Sequence, residues 1–170
     1  VTLSLAASSA MAAATDPSLA DAVRREDRAA VRALLKQRVD VNAPLSDGST
    51  ALHWAVESED LETVGLLLAA GANVNAKNRY NVTPLHVAVS NGNASIVGRL
   101  LKAGANADAI DASGEPLLTI AVRSGNLEPL KLLIEQGASV NAADSAARET
   151  PLMWAVRQQQ ADAIALLLAH

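Results

Sequence analysis

His53 and His86 are the side chains best suited to acid–base or metal chemistry, because imidazole titrates near neutral pH and commonly ligates metals. They lie 33 residues apart, so either role requires the fold to bring them together. No further ligand accompanies them at a spacing typical of metal sites. In the structural alternative, each imidazole hydrogen-bonds the start of its own helix, near Thr50 or Thr83, and the neighbouring loop backbone. We favour this alternative and predict no metal, no cofactor and no catalytic residue.

An acidic run offers the next candidate chemistry, and it comprises Glu57, Glu59, Asp60 and Glu62. An acid–base pair of carboxyl groups needs a cleft and two different environments. This run is expected at a solvated bend between two helices. We therefore predict that Asp60 caps the second of these helices instead of acting in catalysis.

Two glycine turns, at 91–93 (Asn-Gly-Asn) and 124–126 (Ser-Gly-Asn), superficially resemble phosphate-binding loops. No strand pattern precedes them, and no Lys-Ser or Lys-Thr pair follows them, as a phosphate loop requires. The sequence also contains no Gly-x-Ser-x-Gly nucleophile motif. These turns are therefore predicted to connect helices.

The composition points to closely packed helices. Of 170 residues, 50% are hydrophobic and only 2% are aromatic, and there is no cysteine to form disulfides or thiolate sites. The net charge of −4 argues against nucleic acid or an anionic membrane surface as the general partner, because both attract basic proteins.

The first fourteen residues, VTLSLAASSAMAAA, are small and apolar. Both 10–12 (Ala-Met-Ala) and 12–14 (Ala-Ala-Ala) fit the small-x-small pattern of a signal-peptide cleavage site. We expect a signal-peptide remnant, and hence a periplasmic or secreted protein with no membrane insertion after cleavage. The alternative is a disordered or helical Ala-rich leader on a cytoplasmic protein.

A repeat organises the rest of the chain. Alanine recurs at 22, 55, 88, 121 and 155, and leucine recurs three residues before each of these positions. A triplet of Val, Ile or Leu follows in each unit, at 31/34/35, 64/67/68, 97/100/101, 130/133/134 and 164/167/168. The repeats are predicted at about 16–45, 46–78, 79–111, 112–144 and 145–170, and are called repeats 1 to 5.

The most regular unit, 80–106, shows how each repeat folds. Thr83 caps a first helix that Pro84 begins, and Gly92 lies in the turn that ends it. A second helix follows and stops at Gly104, which readily takes the left-handed conformation. Helices this short are unstable alone, so each unit must stack on its neighbours in a solenoid.

The units resemble ankyrin repeats. The resemblance is carried by 83–88 (Thr-Pro-Leu-His-Val-Ala), 50–55 (Thr-Ala-Leu-His-Trp-Ala) and 150–155 (Thr-Pro-Leu-Met-Trp-Ala). It implies an all-α helix-turn-helix solenoid with short β-hairpin loops and about five repeats, the last incomplete. Together with the leader, it suggests an exported bacterial member of the family. In such repeats the histidine has the structural role described above.

Some residues depart from the pattern. Pro116 and Thr119 stand where other repeats have the capping threonine and the histidine, so repeat 4 should lose its cap. Arg38 replaces the helix-ending glycine of repeat 1, and one extra residue lies within 141–150. Since repeat 5 stops at His170, its end face should expose residues such as Trp154, Ile164 and Leu168. We infer that the natural chain continues or that the last helix frays.

The resemblance implies binding to another protein through loop tips and the exposed side of each first helix. The tip candidates are Ser46, Asp47, Ser49, Arg79, Tyr80, Val82, Ala112, Ser113, Glu115, Ala146, Arg148 and Glu149. The first-helix candidates are Glu57, Ser58, Ser90, Asn91, Arg123, Ser124, Arg157 and Gln158. Arg79 and Tyr80 form the strongest pair, because Arg and Tyr are enriched at interface hot spots.

The predicted function is a non-catalytic protein-interaction scaffold, expected to be monomeric. Two alternatives remain open at this point. One is a recognition module of a larger enzyme or effector cut off at the C-terminus. The other is a hydrolase or metal enzyme that uses His53 and His86.

Overall fold

The computed structural model describes residues 18–170, and the leader predicted at 1–14 lies outside that range. This part of the chain holds ten helices, which alternate as five pairs. They are α1 (Leu19–Arg24), α2 (Arg28–Lys36), α3 (Ala51–Glu57), α4 (Leu61–Ala69), α5 (Pro84–Ser90), α6 (Ala94–Lys102), α7 (Leu117–Ser124), α8 (Leu127–Glu135), α9 (Pro151–Arg157) and α10 (Ala161–Leu168). None of them is long and apolar enough to cross a membrane. The predicted all-α solenoid is confirmed.

The predicted β-hairpin loops are wrong in one detail, because no β-strand occurs within 18–170. The loops are turns, such as the one closed by the Asn78 N–H donating to the Val82 carbonyl at 3.1 Å. A tip this short leaves too few backbone pairs for a ladder, and repeat 4 has only an isolated bridge beside its tip. In the last loop, the Asp144 N–H reaches Glu149 instead, at 3.0 Å, which confirms the extra residue.

The second helices of repeats 1 to 3 begin at side-chain caps, whereas those of repeats 4 and 5 have no side-chain cap. Asp60 Oδ1 accepts the Thr63 N–H at 3.2 Å, and Asn93 Oδ1 accepts the Ile96 N–H at 3.1 Å. Partial burial opposes ionisation of Asp60, but hydrogen bonds from Arg28 and Thr63 outweigh it and lower the pKa of Asp60 to about 2. The predicted capping role of Asp60 is confirmed.

The first helices begin at a reciprocal pair of bonds where threonine and histidine are both present. In α5, Thr83 Oγ1 accepts the His86 N–H at 3.4 Å, and His86 Nδ1 accepts the Thr83 N–H at 3.1 Å. In α7, Pro116 provides no side-chain cap. Thr119 Oγ1 is buried there without a hydrogen-bond partner in the described residues. The predicted loss of the cap in repeat 4 is confirmed.

These two threonines should respond oppositely to the same change. Thr83→Val removes a capping oxygen, so we expect a loss of about 1–2 kcal/mol in unfolding free energy. Thr119→Val removes a buried hydroxyl that has no partner, so stability should stay unchanged or rise by up to about 1 kcal/mol. Urea unfolding followed by circular dichroism measures both. A matching loss at Thr119 would contradict the assignment of its hydroxyl as unpaired.

The ends of the second helices share one backbone conformation. Gly104, which follows α6, has a φ of +89°. Arg38, at the same position in repeat 1, has a φ of +58°, in the left-handed region that side chains other than glycine enter at a cost. The turn is therefore set by the fold even where the preferred residue is missing.

The core runs along the stack as one continuous cluster. Leu85 and Ala88 of α5 are at most 1% exposed, and Leu101 of α6 is 6% exposed. Each repeat covers the apolar face of the preceding one, because α3, α5, α7 and α9 pack in sequence. The stability of each unit therefore depends on its neighbours.

The face of repeat 5 lacks such a cover. Leu168 is 69% exposed, as predicted, and Met153 and Val156 are each 56% exposed. Trp154 and Ile164 are only half-buried, so the prediction that they lie bare on this face is wrong. They pack against the core instead.

Side-chain amides also join neighbouring repeats. The Asn42 amide group donates to the Gly71 carbonyl at 3.3 Å, while its oxygen accepts the Asn73 N–H at 2.7 Å. Asn75 makes the same two contacts one repeat later. Asp108, at the equivalent position, can only accept, so the next junction has one bond fewer.

Candidate functional site

The first helices of repeats 2 to 4 form a groove with an apolar floor. Two cavities, of about 450 Å³ and 200 Å³, share Glu57 and Val87 in their walls. The half-buried side chains of Trp54, Val87 and Ile120 lie at one repeat position on α3, α5 and α7 and line these cavities. We call this continuous surface the first-helix groove.

Eight of the twenty candidate residues line this groove. They are Asp47, Ser49, Glu57, Val82, Ser90, Asn91, Glu115 and Arg123. The other twelve lie outside its walls, and they are Ser46, Ser58, Arg79, Tyr80, Ala112, Ser113, Ser124, Ala146, Arg148, Glu149, Arg157 and Gln158. The structure therefore brings together a central set from repeats 2 to 4 and leaves the repeat 5 candidates apart.

Several candidates also hold the framework together. Ser49 is only 6% exposed, and its hydroxyl donates to Asp47 at 3.0 Å, so most of this side chain is already in contact with the tip. The Ser58 and Ser124 hydroxyls donate to carbonyls of their own helices. The Val82 side chain is half-buried. A polar residue at a variable repeat position can thus form hydrogen bonds within its own repeat.

Asp47 closes the tip of repeat 2. Its carboxylate accepts the Ser49 N–H at 2.9 Å, and this bond is the main cause of the lowered pKa of Asp47. Asp111 closes the tip of repeat 4 in a similar way, accepting from the N–H groups of Ser113 and Glu115. Partial burial opposes the ionisation of Asp111, but a hydrogen bond from the Ser113 hydroxyl and these two N–H bonds outweigh it and lower its pKa. Both groups are anionic at neutral pH.

Arg79 and Tyr80 have different environments despite being neighbours. The Arg79 N–H donates to the Asp47 carbonyl at 2.9 Å, and its guanidinium donates to the Ser46 carbonyl at 2.6 Å. Arg79 therefore ties the tip of repeat 3 to that of repeat 2. The Tyr80 backbone carbonyl accepts the Ala112 N–H at 2.9 Å, while its side chain is 59% exposed. Tyr80 is the freer of the pair.

Two ion pairs span a tip and the end of the first helix within one repeat. Arg123 donates to Glu115 at 2.6 Å, and Arg157 donates to both oxygens of Glu149 at 2.8 Å. The guanidiniums of Arg157 and Arg123 lie 4.0 Å and 5.6 Å from the ring centroid of Trp154. Sequence reasoning missed this cluster, although the Glu-to-Arg separation of eight residues recurs in both repeats.

The predicted bonds to the helix start and to the neighbouring loop are both present for His53, whereas His86 makes only the first. His53 Nδ1 accepts the Thr50 N–H at 3.1 Å, so the proton is on Nε2, which donates to the Val82 carbonyl at 3.0 Å. His86 has the same bond to Thr83, but its Nε2 has no partner among residues 18–170. Burial is the main cause of the lowered pKa of both rings, to about 4 for His86.

The His86 orphan arises from the loop of repeat 4. The carbonyl equivalent to that of Val82 belongs to Glu115. Both carbonyls accept an N–H of their own tip, but only the Val82 carbonyl also accepts a histidine Nε2–H, and that of Glu115 makes no bond to His86. Within the described residues, no three His, Asp or Glu side chains come together as a metal site would require. His53 and His86 are therefore positioned for helix capping and for contact along the stack.

Comparison with known protein families shows which family the chain belongs to. A family model for ankyrin repeats, spanning three copies, matches residues 19–111 and again 85–170. The chain belongs to the ankyrin repeat family. No curated protein is significantly similar to it. Ankyrin repeats generally bind other proteins and typically have no catalytic role. In this ankyrin repeat protein the first-helix groove lies on the exposed side of α3, α5 and α7.

Proposed function

We propose that this ankyrin repeat protein is a non-catalytic interaction module that binds one partner protein in the first-helix groove. The observation that carries the proposal is the continuity of the two cavities, which meet at Glu57 and Val87. A concave apolar floor with polar walls is the usual form of a recognition site.

Tyr80 supplies an anchor beside the groove. Its ring is 59% exposed on a tip that backbone hydrogen bonds fix to the tips on both sides, through Arg79 and Ala112. An exposed tyrosine on a rigid loop loses little conformational entropy when it binds, and tyrosine is enriched among hot-spot residues. We therefore place Tyr80 at the edge of the interface.

Two substitutions test this proposal. Val87→Lys fills the shared part of the groove with a charged side chain, and Tyr80→Ala removes the tip anchor. We expect each to weaken capture of the native partner from a cell extract by at least about tenfold, the loss expected of a hot-spot residue. Quantitative mass spectrometry of the captured proteins, followed by titration of the purified partner, provides the measurement.

Leu127→Lys provides the control, because Leu127 is 42% exposed and begins the outer helix α8. It should leave capture unchanged, and all three variants should keep the helical circular dichroism of the parent protein. Unchanged capture by both Val87→Lys and Tyr80→Ala would place the interface elsewhere.

We further propose that the protein is exported by a bacterium and acts in the periplasm or outside the cell. Support comes from the small-x-small pattern at 10–12 and 12–14. When the natural gene is expressed in its host, the mature chain should appear in the periplasmic or culture fraction and begin after Ala12 or Ala14. N-terminal sequencing measures this. An intact leader in the cytoplasmic fraction would contradict export.

A further inference from the structure

We propose that the occupant of the first-helix groove is an extended polypeptide segment that carries lysine or arginine side chains. This inference rests on the proposed function, since it specifies the partner of the same site. Three observations support it: unpaired carboxylates in the walls, an unpaired donor in the wall of the larger cavity, and an apolar floor.

The walls hold a surplus of negative charge. Asp47, Glu57 and Asp111 line the groove, and none of them forms an ion pair with a Lys or Arg among residues 18–170. Glu115 also lines it, but Arg123 neutralises that carboxylate. Arg79 attracts the Asp47 carboxylate from a longer distance, but no ion pair neutralises any of the three. The resulting excess of negative charge in the groove favours a cationic ligand over an acidic one.

Asp47 and Asp111 are fixed as well as charged. Each carboxylate accepts backbone N–H groups of its own tip, which orients it before any ligand arrives. Glu57 lies at the end of α3 and is exposed. A basic side chain would therefore meet carboxylates that are largely preorganised and would order few new groups on binding.

His86 supplies an independent sign of a missing ligand atom. Its side chain is 98% buried, as only 2% of its surface is exposed, and it lines the larger cavity beside Asp111. Because Nδ1 accepts the Thr83 N–H, the proton is on Nε2, and that donor has no acceptor. His53 uses the same donor to bind a backbone carbonyl. A backbone carbonyl of the ligand would supply the equivalent acceptor for His86.

Contact with this donor requires a small movement, since Nε2 is covered in the free protein. The apolar floor at Val87 and Ile120 suits the aliphatic stems of lysine and arginine, whose charged ends would then reach the carboxylates. An extended chain can make both contacts, with the His86 donor and with the carboxylates, because it presents backbone carbonyls and side chains along one line.

Selection from a phage-displayed library of random peptides, on the immobilised 170-residue chain, tests the ligand class. We expect the enriched peptides to contain lysine and arginine well above their frequency in the library. Enriched peptides without this excess that still require Val87 would overturn the cationic inference and leave the proposed function standing. If no enriched peptide loses binding on Val87→Lys, both proposals fail.

Charge variants of the protein then test the site. The most strongly enriched peptide is labelled with fluorescein, and its affinity for each variant is measured by fluorescence anisotropy. Glu57→Gln with Asp111→Asn should weaken binding about tenfold, because two partly exposed ion pairs are lost. Asparagine is suited to position 111, since Asn78 closes the tip of repeat 3 in the same way. Glu128→Gln with Glu135→Gln on α8 removes the same net charge from the outer helix and should change binding less than about twofold. If both double variants weakened binding equally, the peptide would not be bound through the groove carboxylates, and the proposed site would be wrong.

Nuclear magnetic resonance tests the role of His86 directly. Saturating the protein with the selected peptide should shift the Nε2–H proton of His86 downfield, as expected for a newly formed hydrogen bond. The Nε2–H proton of His53, already bonded to Val82, should move little and serves as an internal control. An unchanged His86 signal in the peptide-saturated protein would overturn the carbonyl contact.

Discussion

Replacing Leu101 with alanine should lower the free energy of unfolding by about 2–4 kcal/mol, whereas Leu168→Ala should cost less than about 0.5 kcal/mol. Both residues occupy the last position of the apolar triplet in their second helix. Leu101 is 6% exposed because repeat 4 covers it, while Leu168 on the end face is 69% exposed. The same side chain at the same repeat position thus has two energetic roles.

Urea denaturation of the two variants measures this difference, with the slope against urea checked for a change in two-state behaviour. A stacked solenoid couples each repeat to its neighbours, so a cavity in repeat 3 should lower the free energy of unfolding of the whole array. Equal losses for the two variants would mean that the end face is covered in solution. Measurements at several protein concentrations would then show whether self-association is the cause.

The contrast between Leu101 and Leu168 also shows what a sequence can predict about a repeat protein. Periodicity identified the triplets, the capping role of Asp60 and the extra residue in the last loop, because each depends on local spacing. The position of the Arg123 and Arg157 guanidiniums beside the Trp154 ring was not predicted, because it depends on the paths of long side chains from two repeats.

The candidate site was predictable in position more than in detail. The repeat pattern placed Glu57 and Asn91 on a shared surface, and the structure places both in the walls of the groove. The tie from Arg79 to Ser46 depends on the path of a long side chain across 33 residues. The orphaned Nε2 of His86 depends on the loop of the following repeat. Contacts between repeats are set by three-dimensional register, which one repeat read alone does not specify.

Lowering the pH from about 6.5 to 4 should destabilise the protein by about 3 kcal/mol through His86, with a further contribution from His53. Burial lowers the pKa of His86 to about 4 from an ordinary value of 6.5, with Asp111 raising it and Lys77 and His53 lowering it further. Between these pH values His86 is protonated in the unfolded chain but stays neutral in the folded protein. Stability is therefore full above pH 6.5, falls as the pH falls, and has lost the whole His86 contribution below pH 4.

His53→Gln with His86→Gln is the variant that isolates this effect. A glutamine oxygen can accept the Thr50 or Thr83 N–H as the imidazole nitrogen does, yet it binds no proton in this range. The double variant should be somewhat less stable at pH 7, because ring packing is lost, but its unfolding free energy should be nearly flat from pH 6.5 to 4. Asp60 and the other aspartates with a lowered pKa, Asp47, Asp111 and Asp144, lose most of their contribution as the pH falls below their ordinary pKa of 3.8, so they add only a small slope above pH 4, equal in parent and variant. A parent protein whose His86 titrates near pH 6.5, or a variant that keeps the full pH slope, would show that buried imidazoles are not the cause.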